Sequence, residues 1–78
     1  MLKMKPTLII TFATTTQAMA MEKFCLQQGL PGRLIPVPRE ITAGCGLSWK
    51  ALPEDKDPLL DALSRGGMVW QECHLIEV

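Results

Sequence analysis

Apolar and polar side chains alternate along the first well-patterned stretch of the chain, from Thr7 to Phe12. One side of the backbone carries Leu8, Ile10 and Phe12, and the other carries Thr7, Ile9 and Thr11. This period of two, together with the β-branched content, predicts a first β-strand.

The spacing of apolar residues then changes from two to that of a helix. Thr14 and Gln17 fit a capping box at its start, with the glutamine reaching back to the preceding turn. Gly29 supplies a left-handed residue at the end, and Pro31 prevents the helix from continuing. We therefore predict a helix whose inner face carries Ala18, Met21 and Cys25.

Two prolines mark the second predicted strand, Arg33 to Val37. Pro36 and Pro38 remove donors from the same side of the extended backbone, which is tolerated only where that side faces solvent. We therefore place this strand at an edge of the sheet. The alternating run Leu47 to Ala51 predicts a third strand, with Trp49 facing inward.

The last third of the chain predicts one more helix and one more strand. Asp57 before Pro58 indicates the N-cap and first residue of a helix that runs through three leucines and ends at Gly66-Gly67. Met68 to Val78 is predicted as the closing strand.

The predicted order is therefore β-α-β-β-α-β, which favours an α+β, ferredoxin-like sandwich. In this fold a four-stranded antiparallel sheet has both helices on one face, and strands one and three are central. The uncovered face would expose residues such as Ile9, Ile35 and Val37, and on this ground we expect a homodimer.

Length and composition narrow the possibilities further. The 78 residues form one small domain, residues 1–78, and 47% are apolar, which is enough for a folded core. Eight basic and eight acidic side chains give no net charge, so nucleic-acid binding is not expected. No apolar run reaches the ~20 residues of a membrane span.

The N-terminus imitates a secretory signal, because Lys3 and Lys5 precede an apolar stretch and Ala18-Met19-Ala20 matches a cleavage site. Cleavage there would remove the first strand and half of the first helix. The odd count of three cysteines also argues against a disulfide framework. We therefore expect a cytoplasmic protein.

The candidate chemistry lies in the loop before the third strand, where Cys45 stands between Gly44 and Gly46. Both glycines can take a positive φ, so successive amides there could converge on an anion. A thiol in a glycine loop suits a nucleophile or a carrier sulfur. The alternative is that Cys45 has no chemical role and is a small residue that fits a tight turn. Arg39 either stabilises the thiolate or is a solvated loop charge. Glu40 either acts as a general acid or pairs with a nearby cation.

The other thiols are weaker candidates. Cys25 lies on the apolar face of the first helix and is read as a core residue. Cys73 and His74 are adjacent on a strand, so they point to opposite faces and cannot act together. Neither a metal-ligand motif nor a phosphate loop is present, and no metal or cofactor is expected.

Two motifs resemble a family of small proteins described as selenium/sulfur carriers. They are the Pro-x-Pro-Arg-Glu motif at the end of Arg33 to Glu40, and Gly44 to Leu47 with its Cys-Gly pair. The Pro53-Glu54-Asp55 helix entry also agrees in layout, although Asp57-Pro58 departs from the pattern and suggests a late helix start.

The resemblance implies that Cys45 carries reactive sulfur or selenium between donor and acceptor proteins, without turnover of its own. The alternative is a non-catalytic regulatory or interaction module of the same fold, since fold alone does not decide function. Replacement of Cys45 discriminates them, because only a carrier depends on the thiol.

Overall fold

A computed structural model describes residues 5–41 and 44–77 of the chain. Its elements follow the predicted order and are β1 (Pro6–Thr11), α1 (Thr15–Gln28), β2 (Arg33–Pro36), β3 (Leu47–Ala51), a 3₁₀ turn (Pro53–Asp55), α2 (Lys56–Arg65) and β4 (Glu72–Glu77). The α+β, ferredoxin-like prediction is confirmed.

The four strands form one antiparallel sheet in the order β2-β3-β1-β4, so β1 and β3 are central. Within the described residues, β2 pairs with β3 alone, as its prolines predicted. The amide of Val37 donates to the carbonyl of Gly46 over 2.9 Å and therefore points toward β3. The neighbouring nitrogen of Pro36 points the other way, where no donor is needed.

One face of the sheet and both helices enclose the core. β1 and β3 contribute inward side chains such as Ile10 and Trp49, and α1 and α2 contribute others such as Met21 and Leu63, all nearly inaccessible to solvent. Ile9 and Ile41 are the buried apolar residues of the described chain that lie outside this cluster.

The start of α1 is held by reciprocal hydrogen bonds, as predicted. The hydroxyl of Thr14 accepts from the amide of Gln17 over 3.2 Å, and the Gln17 side chain accepts from the amide of Ala13 over 3.0 Å. At the other end Gly29 has a φ of 66°, a left-handed conformation that glycine adopts without strain.

The start of α2 differs from the prediction. The helix begins at Lys56, directly after the 3₁₀ turn, and not at Asp57-Pro58. Pro58 is the third helical residue, a position where a backbone N–H has no acceptor within the helix. A proline there costs no helical hydrogen bond. The segment Pro53-Glu54-Asp55 thus forms the entry to this helix as a 3₁₀ turn. Among the described residues, no helix is long and apolar enough to cross a membrane.

The closing strand is also shorter than predicted, because it starts at Glu72 and not at Met68. The amide of Met68 bonds back to the carbonyl of Leu63 over 2.9 Å, after Gly67 with a φ of 70°. These contacts complete the C-terminal cap of α2, so Met68 belongs to the helix end. Val78, the predicted last strand residue, lies outside the described residues.

The second face of the sheet does not match the exposed apolar surface that we expected. Ile9 is fully buried, and Ile35 and Val37 are half-buried. Cross-strand register places Arg33, Lys50, Ile9 and His74 in one row across this face. The expected exposure of Ile9 is therefore wrong, whereas Ile35 and Val37 keep part of their surface accessible, and the homodimer stays a prediction.

Candidate functional site

The loop between β2 and β3 is closed at its base by the Val37–Gly46 hydrogen bond. A second bond, from the amide of Ile41 to the carbonyl of Pro38 over 3.0 Å, closes a turn around Arg39 and Glu40. Both of these charged side chains are exposed. The proline-bearing strand thus runs into a short turn before the chain reaches the candidate thiol.

Cys45 lies at the end of the sheet, beside the last residues of β1. Its amide donates to the carbonyl of Phe12 over 3.0 Å, which ties the loop to the central strand. The Sγ atom is 3.9 Å from the carbonyl oxygen of Leu47. The side chain is half-buried and packs against the edge of the core. The backbone of this cysteine is therefore held in place while part of its side chain remains accessible.

The two flanking glycines serve the loop in different ways. Both have positive φ, 87° for Gly44 and 92° for Gly46. A Cβ atom on Gly44 would collide with the Phe12 carbonyl oxygen and come within 3.1 Å of the Gln71 side-chain oxygen. A Cβ atom on Gly46 would contact nothing within 4 Å. Only Gly44 is therefore required for the close approach that positions Cys45.

The predicted convergence of loop amides on the thiol is incomplete. The amide of Cys45 is already bonded to Phe12, so it does not point into an anion site. Among the described residues, no side-chain hydrogen bond or ion pair joins Arg39 or Glu40 to Cys45. The structure brings Gly44, Cys45 and Gly46 together at the sheet end and leaves the other two predicted residues in the adjacent turn.

The environments of the remaining thiols suppress their ionisation. Burial raises the pKa of Cys25 to about 11, and its Sγ atom lies 3.9 Å from the sulfur of Met21 in the core. Burial also raises the pKa of Cys73, although the Lys56 ammonium and the Trp70 indole oppose this in part. Since the thiolate is the nucleophile, both thiols are held in their less reactive form at neutral pH.

Several contacts of the site were not visible in the sequence. Phe12 and Gln71 shape the backbone at Gly44, yet they come from the end of β1 and from the approach to β4. No local pattern could have indicated the Phe12 and Gln71 contacts, since they depend on how distant strands meet.

His74 forms a hydrogen bond with the carboxylate of Glu72 over 2.9 Å on the face opposite Cys73, as the alternation of the strand predicted.

A family model described as "Putative Se/S carrier protein-like" matches residues 7–75, a span that includes both strands of the loop, Cys45 and the two helices. No curated protein and no solved structure matched the chain. The chain therefore belongs to the Se/S carrier protein-like family.

Proposed function

We propose that this protein carries reactive sulfur or selenium on Cys45 and hands it from a donor protein to an acceptor protein. The observation that carries this proposal is the placement of the thiol. Cys45 is partly accessible on a backbone fixed by Phe12, while burial raises the pKa of both other thiols. Membership of the carrier-like family supports a carrier function, and the matched span includes Cys45.

The transfer needs no external oxidant or reductant. The Cys45 thiolate attacks the outer, sulfane sulfur of a donor persulfide, R–S–SH. A new sulfur–sulfur bond forms at Cys45 as the donor's sulfur–sulfur bond breaks, and the electron pair leaves with the donor thiolate. The product is Cys45–S–SH, and the same exchange with an acceptor thiolate returns Cys45 to its thiolate. Selenium takes the place of the outer sulfur in the same sequence.

The loop provides three further functions in this proposal. Gly44 permits the close approach to Phe12, and Gly46 turns the chain into β3, so together they hold Cys45 at the sheet end. Arg39 lies in the adjacent turn with its guanidinium exposed, and in this proposal its charge attracts an anionic donor. Glu40 limits that attraction as its neighbouring acid.

We place this exchange in the cytoplasm. All three cysteines are free thiols in the structure, which suits a reducing compartment. A disulfide-dependent extracellular domain of this size would use its cysteines as cross-links.

The test is persulfide transfer measured by mass spectrometry. The protein is incubated with a persulfide donor and digested, and the peptide that contains Cys45 should gain one sulfur that a reductant removes. Cys45→Ser should abolish this gain, whereas Cys25→Ser and Cys73→Ser should retain it. Transfer of the labelled sulfur to a small-molecule thiol then tests release.

Two outcomes contradict the proposal. In the first, Cys45 gains no sulfur under conditions in which a free small thiol does. In the second, Cys73 gains sulfur as fast as Cys45, which means that the loop gives no selectivity. If the Cys45→Ser variant gains no sulfur and still binds its partner proteins and retains its function, the protein acts as the interaction module, because such a module does not depend on the thiol.

A further inference from the structure

A cleft lies at the end of the sheet opposite Cys45. It is lined by Thr7 at the start of β1, by Ala51 and Leu52 at the end of β3, and by the turn before β2, and its volume is about 430 Å³. Small-molecule sites commonly have volumes of about 300–1,000 Å³. The cleft is therefore large enough for a ligand of several heavy atoms, and it is separate from the thiol loop.

One wall of this cleft is fixed by a hydrogen bond from the core. The indole nitrogen of Trp49 donates to the carbonyl of Pro31 over 3.1 Å. The next residue, Gly32, has a φ of 114°, and a Cβ atom there would collide with the same indole and with the carbonyl of Lys50. The turn thus lies directly on the sheet, so the wall exists before any ligand arrives and less ordering is needed on binding.

Two cations face each other across the strands that line the cleft. Arg33 on β2 and Lys50 on β3 are paired in register, and both side chains are exposed. Like charges directly opposite in a sheet destabilise it. Within the described residues neither side chain forms an ion pair, and Asp55 is the acidic residue in the lining. Two positive charges against one negative leave the cleft one positive charge in excess, which the fold itself does not use.

The remaining lining is largely apolar. Pro31, Ala51 and Leu52 line the cleft, and Leu52 keeps 57% of its surface exposed, so its side chain is available for contact with a ligand. An apolar surface beside a pair of cations matches an amphipathic ligand better than it matches a bare ion.

We propose that this cleft binds a small organic anion, a carboxylate on a short apolar body. The planar guanidinium of Arg33 matches the two carboxylate oxygens, and the Lys50 ammonium adds a point charge beside it. The body of the ligand packs on Leu52 and Pro31. The Asp55 carboxylate, on the same lining, disfavours ligands of higher negative charge. This site does not depend on the function proposed for Cys45.

The experiment is a titration of the isotope-labelled full chain, followed by its amide resonances in nuclear magnetic resonance spectra. Butyrate, acetate and inorganic phosphate are the probes, each against a chloride baseline of equal ionic strength. We expect saturable shifts at Gly32, Arg33, Lys50 and Leu52, with butyrate binding more tightly than acetate or phosphate. Shifts at Cys45 should be small, because that residue lies at the other end of the sheet.

Charge variants test the assignment of the residues. Arg33→Gln and Lys50→Gln should each weaken butyrate binding by about two- to fivefold, the range typical of one exposed charge. Asp55→Asn should strengthen it, and its own side chain makes no capping hydrogen bond whose loss would disturb α2. Lys23→Gln, an exposed cation on α1 outside the cleft, is the matched control and should leave binding unchanged.

Three results overturn the proposal. In the first, phosphate binds as tightly as butyrate, which means that the apolar wall plays no part. In the second, Lys23→Gln weakens binding as much as Lys50→Gln, which means that the attraction is unspecific. Shifts that rise linearly without saturation, in a protein whose circular dichroism shows it to be folded, mean that no site exists.

Discussion

The two glycines around Cys45 allow a matched test of how the loop is held. Gly44→Ala and Gly46→Ala introduce the same methyl group at neighbouring positions, and both positions have φ near 90°. They differ in surroundings, because a Cβ atom at 44 would collide with the carbonyl of Phe12 and a Cβ atom at 46 would contact nothing within 4 Å.

The expected losses follow from this difference. An alanine forced into a positive φ costs about 1–2 kcal/mol, and this applies to both variants. At Gly44 the methyl group must also displace the Phe12 carbonyl, which accepts the amide of Cys45 over 3.0 Å. Loss of that bond costs about 1 kcal/mol more, and an unpaired carbonyl on a buried residue adds a similar amount. We therefore expect a loss of about 1–2 kcal/mol for Gly46→Ala and about 3–4 kcal/mol for Gly44→Ala.

Urea denaturation followed by circular dichroism measures the two free energies of unfolding. A domain of this length has a stability of about 4–12 kcal/mol, so Gly46→Ala should remain folded in water, and Gly44→Ala remains folded if the unsubstituted protein is more stable than about 4 kcal/mol. The alkylation rate of Cys45 provides a second measurement. It should change in Gly44→Ala, where the bond to Phe12 is broken, more than in Gly46→Ala. Equal losses of stability for the two variants would refute the argument, since the close approach at Gly44 would then have no energetic effect.

Three further outcomes are expected. Thr14→Ala should lower the free energy of unfolding by about 1 kcal/mol through loss of the N-cap bond, whereas Thr16→Ala in the same exposed helix turn should cost less, as measured by urea denaturation. Burial raises the pKa of Cys25 from 9.0 to about 11, so this thiol ionises at a lower pH in the unfolded chain than in the folded protein. Its contribution to stability is therefore intact below pH 9.0 and is lost as the pH rises toward about 11. Stability measured across that range should therefore fall less in Cys25→Ala, and an identical fall would exclude the thiol as its cause. In hydrogen exchange the amide of Ile35, which faces β3, should be protected more strongly than that of Leu34, which faces the open edge; the reverse order would contradict the edge position of β2.

The parts of the fold that the sequence predicted well depend on local interactions. The bounds of β3 were predicted to the residue, because alternation from Leu47 to Ala51 is flanked by Gly46 and Leu52-Pro53. The ends of α1 were likewise readable, since its capping bonds join residues three or four apart. The start of α2 was not, because Pro58 is tolerated at the first and at the third helical position for the same reason: neither amide has a partner.

Long-range contacts account for what the sequence did not predict at the site. The glycines around Cys45 marked the loop, but the carbonyl that fixes it comes from Phe12, which joins it only when the sheet forms. The burial of Ile9 has the same origin. Alternation assigns Ile9 to the face away from the helices, and it does not show how closely neighbouring side chains on that face will cover it.

The pairing of β1 with β4 has a consequence for synthesis of the protein on the ribosome. Register joins Pro6 to Glu77 and Thr11 to Glu72, so this central strand pairs with a strand that is made about sixty residues later. Until β4 leaves the exit tunnel, one side of β1 has no partner for its amides and carbonyls. The nascent chain must therefore keep an apolar central strand from pairing with other chains. Premature termination before Glu72 leaves a product that cannot reach the native fold and is bound by chaperones or degraded by proteases.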